Sequence, residues 1–142
     1  MSEKVLLVDD EKEFLEIMSE RMKSRGMTVT TAQSADQALK LIGEKTFDAI
    51  VMDFQMPGMD GMKALKAIKN KKPELQIILL TGYATVEKTV EAMKIGATDF
   101  LEKPADLEAL TKKIKLAKAE KMLFVEKQTE EKIKDILQRY GG

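Results

Sequence analysis

Five short apolar runs punctuate the chain, and a stretch with helix-like spacing of apolar residues follows each of them. After Val5 to Val8, the segment Glu11 to Ser24 carries Phe14, Ile17, Met18 and Met22 close to the helical repeat, and Gly26 closes it. Met27 to Thr31 is β-branched and predicts a second strand. Ser34 stands where a cap is needed for a helix through Ala38, Leu39 and Ile42 that ends near Gly43. Phe47 to Met52 is the third run. Pro57, Gly58, Asp60 and Gly61 then spell a loop, with Asp60 capping a helix that carries Met62, Leu65 and Ile68. Leu75 to Leu80 is the fourth run, followed by a helix over Val86 to Ile95 with Val90 and Met93 on one face and Gly96 beyond its end. Thr98 to Leu101 predicts a short fifth strand, and Asp106 caps a last helix with Leu107, Leu110 and Ile114 inward. Met18, Met22 and Met93 read as core filler.

Strand and helix alternating five times predict an α/β fold with a parallel sheet. The runs VLLV, AIVM and IILL are unbroken rather than alternating, as strands covered on both faces require. Open sheets of this kind bind ligands beyond the carboxyl ends of their strands, at the switch in strand order. Candidate chemistry is therefore sought just after each run.

Asp9, Asp10 and Glu11 follow the first strand, Asp53 the third, Thr81 the fourth and Lys103 the fifth. Taken singly, each has a bland reading: a cap or turn for the acids, a turn hydroxyl, a surface lysine. Their coincidence at four strand ends is what points to a site. If the central strands are neighbours, three aspartates meet, and carboxylates that close repel one another unless a cation compensates. Mg²⁺ suits such a site, because it takes a few carboxylates, waters and a phosphate oxygen. Lys103 adds a positive charge and Thr81 a hydroxyl donor. The set describes a site for a transferable anionic group, and a phosphoryl group fits best.

Composition narrows this further. The chain of 142 residues has room for one ordinary domain with a short tail. It contains no cysteine and no histidine, which excludes disulfides, thiol nucleophiles, His-ligated metals and Ser-His-Asp catalysis. The remaining nucleophile candidates are Asp, Glu, Ser, Thr, Lys and Tyr. An aspartate beside a divalent cation is a known route to an aspartyl phosphate. Acidic and basic residues balance at 24 each, so no electrostatic case exists for nucleic acid. The N-terminus, MSEKVLLVDDEKEF, reads neither as a signal nor as a transit peptide. No apolar run approaches the roughly 20 residues needed to span a bilayer. The expectation is a cytoplasmic protein without a membrane partner.

Four segments, VLLVDDE, DAIVMDFQMPGMDG, IILLTGY and GATDFLEKP, lie between Lys4 and about Ala119 in an order and spacing similar to response-regulator receivers of two-component signalling. The resemblance implies a flavodoxin-like (βα)5 fold, a doubly wound five-stranded parallel sheet of order 2-1-3-4-5. It implies Asp53 as phospho-acceptor, with Mg²⁺ held directly by Asp10, Asp53 and the backbone carbonyl of Gln55, and by Asp9 through water. Lys103 would pair with the phosphoryl group, the Lys103–Pro104 peptide would be cis, and Thr81 and Phe100 would form the switch pair. The readout would lie on the fourth helix, fifth strand and fifth helix. The donor would be a phosphohistidine on a sensor histidine kinase or phosphorelay protein. Such a chain is no general enzyme, catalysing only its own phosphotransfer and dephosphorylation. Gln55 and Tyr83 occupy positions that vary in this family and tune the lifetime of the acyl phosphate, and Phe100 stands where Tyr is commoner.

The segment LTGYATVEKTVEAMKIGATDFLEKP also resembles receivers of enhancer-binding transcription activators, which carry an ATPase domain. The expected division is a receiver over 1–120 and a helical extension over 121–142, with no effector domain. Beyond Ala119 the helical pattern runs from Met122 to Val125 and is interrupted by polar Glu126 to Lys132. Ile133, Ile136, Leu137 and Tyr140 restore it, and Gly141-Gly142 ends it. This extension either folds back on the domain or pairs with a second copy in a homodimer. The chain reads as a stand-alone receiver acting through a downstream protein, or as one receiver of a longer activator or hybrid kinase. A Mg²⁺-dependent phosphatase resembling haloacid dehalogenases fits poorly: its Asp-x-Asp pair follows the first strand, whereas Asp53 follows the third and Gln55 takes the place of the second Asp.

Overall fold

A computed structural model describes residues 2–56, 60–82 and 85–141. Pro57, Gly58, Tyr83 and Gly142, named above, lie outside the described residues. The elements alternate without exception: β1 (Lys4–Val8), α1 (Lys12–Ser24), β2 (Thr28–Ala32), α2 (Ala35–Glu44), β3 (Ala49–Asp53), α3 (Gly61–Lys71), β4 (Gln76–Thr81), α4 (Val86–Ile95), β5 (Asp99–Glu102) and α5 (Leu107–Tyr140). The five strands form one sheet of order β2-β1-β3-β4-β5, and all its pairings are parallel. The doubly wound flavodoxin-like order expected from the sequence is the one observed.

The unbroken apolar runs explain this arrangement. Because side chains alternate across a strand, Val5, Leu7, Ala49, Val51, Ile78 and Leu80 enter one apolar cluster with α1 and α5. Leu6, Val8, Ile50, Met52, Ile77 and Leu79 enter the other, beneath α2, α3 and α4. A sheet covered on both faces presents ligands only with its strand ends. Local signals set the helix starts. The Ser34, Asp60, Thr85 and Asp106 side chains each accept a backbone N–H in the first turn of α2, α3, α4 and α5. Gly61 opens α3 where any Cβ would lie 2.6 Å from the carbonyl oxygen of Phe54, so no other residue fits without movement. Gly96 ends α4 at φ +129°, a conformation that favours glycine.

Three details differ from the sequence pattern. Ile17 is 47% exposed, because α1 buries Leu15, Met18, Ser19 and Met22 instead. Met93 is 43% exposed and is not core filler: only Ala92 of α4 is buried, so this helix covers the sheet with a narrow face. The polar stretch Glu126 to Lys132 does not interrupt the last helix, since α5 runs unbroken to Tyr140. Its Glu, Lys and Gln residues sustain a helix by propensity without an apolar stripe. Within α5 only Leu110, Ile114 and Ala117 are buried, and residues 122–140 are exposed rather than folded back on the domain.

Candidate functional site at the carboxyl end of the sheet

The strand order places the candidate residues. β1 and β3 are neighbours with Val8 opposite Met52, so Asp9 and Asp53 emerge side by side. Thr81 ends β4 opposite Glu102, and its carbonyl accepts the N–H of Lys103 at 2.9 Å. Lys103 is thereby delivered to the same end of the sheet, and the peptide that joins it to Pro104 is cis. One ligand atom from each of Asp9, Asp10 and Asp53 lies within 4.8 Å of the others. Asp9 and Asp53 are buried, and Asp10 is exposed.

Both buried carboxylates are clamped in the same way. Asp9 Oδ1 accepts the N–H of Glu11 at 2.9 Å, and Asp53 Oδ1 accepts the N–H of Gln55 at 2.9 Å. Their other oxygens face one ammonium: Lys103 Nζ stands 2.6 Å from Asp9 Oδ2 and 3.1 Å from Asp53 Oδ2. Burial of two acids is costly unless they are paired and hydrogen-bonded, and here both conditions hold. Burial pulls the Lys103 pKa down, but the hydrogen bonds and charges of Asp9 and Asp53 outweigh it and leave the pKa raised above its ordinary value. The ammonium is therefore a fixed positive charge at neutral pH.

A third group touches this ammonium. The ring centroid of Phe14, on α1, lies 4.5 Å from Lys103 Nζ. The sequence marks Phe14 only as an apolar helix position; no local signal links it to a lysine near the other end of the chain. Beside the cluster, Thr81 is buried and borders a small cavity of about 20 Å³ with Phe54, Leu79, Ala92 and Phe100. Asp9, Asp10, Asp53 and Lys103 thus form one constellation, while Thr81 and Phe100 share the adjoining space under α4. The donor set is carboxylate oxygen, which suits a hard cation such as Mg²⁺ and not a soft metal.

Comparison with known proteins agrees with this architecture. The family described as "Response regulator receiver domain" matches residues 5–115. The response regulator protein FleR of Pseudomonas aeruginosa is 38% identical over 110 residues, covering 78% of this chain and 23% of FleR. The chain spans about a quarter of the length of the curated relatives it matches. Among solved structures, a receiver domain protein of Clostridium thermocellum superposes with a TM-score of 0.81 at 32% identity, covering 87% of this chain and 99% of that one. The beryllofluoride-activated NtrC4 receiver domain dimer superposes at 0.77 with 37% identity, covering 83% and 98%. By family match, by relatives and by fold, the chain belongs to the receiver domains of response regulators.

Proposed function

We propose that Asp53 is phosphorylated by a partner phosphohistidine, on a sensor histidine kinase or a phosphorelay protein, and that the aspartyl phosphate switches protein contacts. The observation that carries this reading is the single ammonium of Lys103 bridging the buried carboxylates of Asp9 and Asp53. In the transfer, a carboxylate oxygen of Asp53 forms a bond to phosphorus as the donor's N–P bond breaks. The electron pair leaves on the imidazole nitrogen. Lys103 exchanges its contact with Asp53 for a phosphoryl oxygen and offsets the charge that arrives. Asp10, Asp53 and the Gln55 carbonyl would hold Mg²⁺ directly and Asp9 through water; the ion supplies charge neutralisation at the phosphoryl oxygens when bound. The Thr81 hydroxyl then donates to the phosphoryl group, and Phe100 turns inward beside it. The cavity they already share supports this pairing. Phosphorylation adds charge and acceptors, so it shifts a two-state equilibrium rather than building a new fold. The chain catalyses only its own phosphotransfer and dephosphorylation.

Residues 1–120 are the receiver on this reading, and 121–142 a helical extension. The downstream partner contacts the face formed by α4, β5 and α5, where Val86, Val90 and Met93 are exposed. A second copy is a candidate occupant of that face, as the NtrC4 receiver dimer illustrates for that protein. Among the described residues no helix is long and apolar enough to cross a membrane, and a cytoplasmic setting suits a kinase partner. Incubation with Mg²⁺ and acetyl phosphate should add about 80 Da, the mass of one phosphoryl group, and Asp53→Asn should abolish the adduct. Absence of an adduct at saturating donor would sink the reading. A size measurement with and without beryllofluoride and Mg²⁺ tests the dimer.

A further inference from the structure

A lysine side chain is a long, flexible stem ending in a point charge, so its usefulness at a reacting centre depends on what holds it. Lys103 has three ammonium protons, and its two ion pairs run to Asp9 and Asp53. On the proposed function both partners are groups whose surroundings would change: Asp53 would become an acyl phosphate, and Asp9 would face the cation through water. A lysine held only by them would have its tethers exchanged at the moment its position matters.

We infer that Phe14 is a positioning residue for Lys103, seating the ammonium against the aromatic ring so that it stays over the site while its carboxylate partners are exchanged. The centroid distance of 4.5 Å is well inside the range over which a cation is drawn to an aromatic face, about 6 Å. The ring itself is anchored. Phe14 is half-buried and packs on the apolar cluster formed by α1, α5 and the strands between them, together with Leu101, Ala105 and Leu107. Leu101 and Ala105 flank Lys103 in sequence, so the ring and the lysine backbone are fixed to the same packed layer. The contact needs neither the phosphoryl group nor the cation, so it is a restraint on the Lys103 side chain that persists through the reaction. The inference rests on the phosphoryl-transfer reading for its consequence in rate, but the contact is also measurable without it.

Two readouts on the full chain separate these. In the metal-free protein, the ε-methylene protons of Lys103 should resonate upfield of the other lysines because of the ring current. The shift should vanish in Phe14→Leu and persist in Phe14→Trp. With Mg²⁺ and acetyl phosphate, phosphorylation should slow about 2- to 10-fold in Phe14→Leu, the range expected for a partly desolvated cation–π contact, and recover in Phe14→Trp. Stepwise fluorination of the ring, which drains its face of charge at nearly constant shape, should slow the reaction stepwise. In a Lys103→Met background the Phe14→Leu effect should disappear. An unshifted Lys103 resonance in the wild type overturns the inference. So does a Phe14→Leu variant that reacts at the wild-type rate, or a rate indifferent to fluorination. A wild type that takes no phosphoryl group overturns the function itself, and the inference then stands or falls on the resonance.

Discussion

Lys103 and Lys69 sit at opposite ends of the same sheet, both partly buried, and their surroundings drive them in opposite directions. At the carboxyl end, Lys103 meets two carboxylates and its pKa is raised despite burial. At the amino end, Lys69 of α3 lays its stem against Gly96 and gives its ammonium to backbone carbonyls, Leu75 at 2.9 Å and Pro73 at 3.3 Å. Burial dominates there and lowers its pKa, with the charges of Glu74 and Glu120 opposing only in part. Neutral dipoles hold the one ammonium; formal charges hold the other. The difference teaches that partial burial alone does not mark a functional lysine, whereas the nature of its partners does.

Removing each ammonium should give the largest contrast. Lys103→Met is expected to slow phosphorylation by acetyl phosphate about 100-fold, the scale of a lost electrostatic contact in a transition state. Lys69→Met should leave that rate within experimental error, so a comparable loss there would break the comparison. Stability should respond at both: Lys69→Met frees two carbonyls and is expected to cost about 1–2 kcal/mol in urea unfolding, and Lys103→Met leaves two buried carboxylates without their shared cation.

The pH dependence sharpens the same contrast. A raised folded pKa means that the Lys103 contribution to stability is complete below the unfolded value of 10.5 and is lost as pH rises through the folded value. Lys69 has a lowered folded pKa, so just below 10.5 the unfolded chain binds more protons, and its contribution improves with rising pH. Urea midpoints of wild type minus variant, followed from neutral pH upward, should therefore hold level for Lys103→Met before they fall. For Lys69→Met they should grow. A smaller effect is expected at Lys113, whose 2.7 Å pair with Asp99 is only half-buried between α5 and β5. Lys113→Ala should change stability by less than about 1 kcal/mol, and should do so less at high salt.

Much of this architecture was legible beforehand because its signals are local. Caps at Ser34, Asp60 and Asp106 and the unbroken strands follow from residues a few positions apart. The convergence of Asp9, Asp10, Asp53 and Lys103 was legible for a different reason: strand ends in such a sheet share one edge. What escaped was set by packing between distant segments. Nothing near Phe14 announces Lys103, much further along the chain. Periodicity alone could not rank Ile17 below Leu15, or show that α4 buries little beyond Ala92. The last helix was misjudged at Glu126 to Lys132 because an apolar stripe marks burial, and a helix can persist without any.

That persistence gives α5 a mechanical character. Lys121 still touches the body, donating to the Phe47 carbonyl at 2.6 Å, but the helix continues to Tyr140. At about 1.5 Å per residue the free arm is roughly 28 Å long, so a tilt of about 10° at its root sweeps the tip through about 5 Å. Any change of angle at the root of this helix would be magnified at its tip.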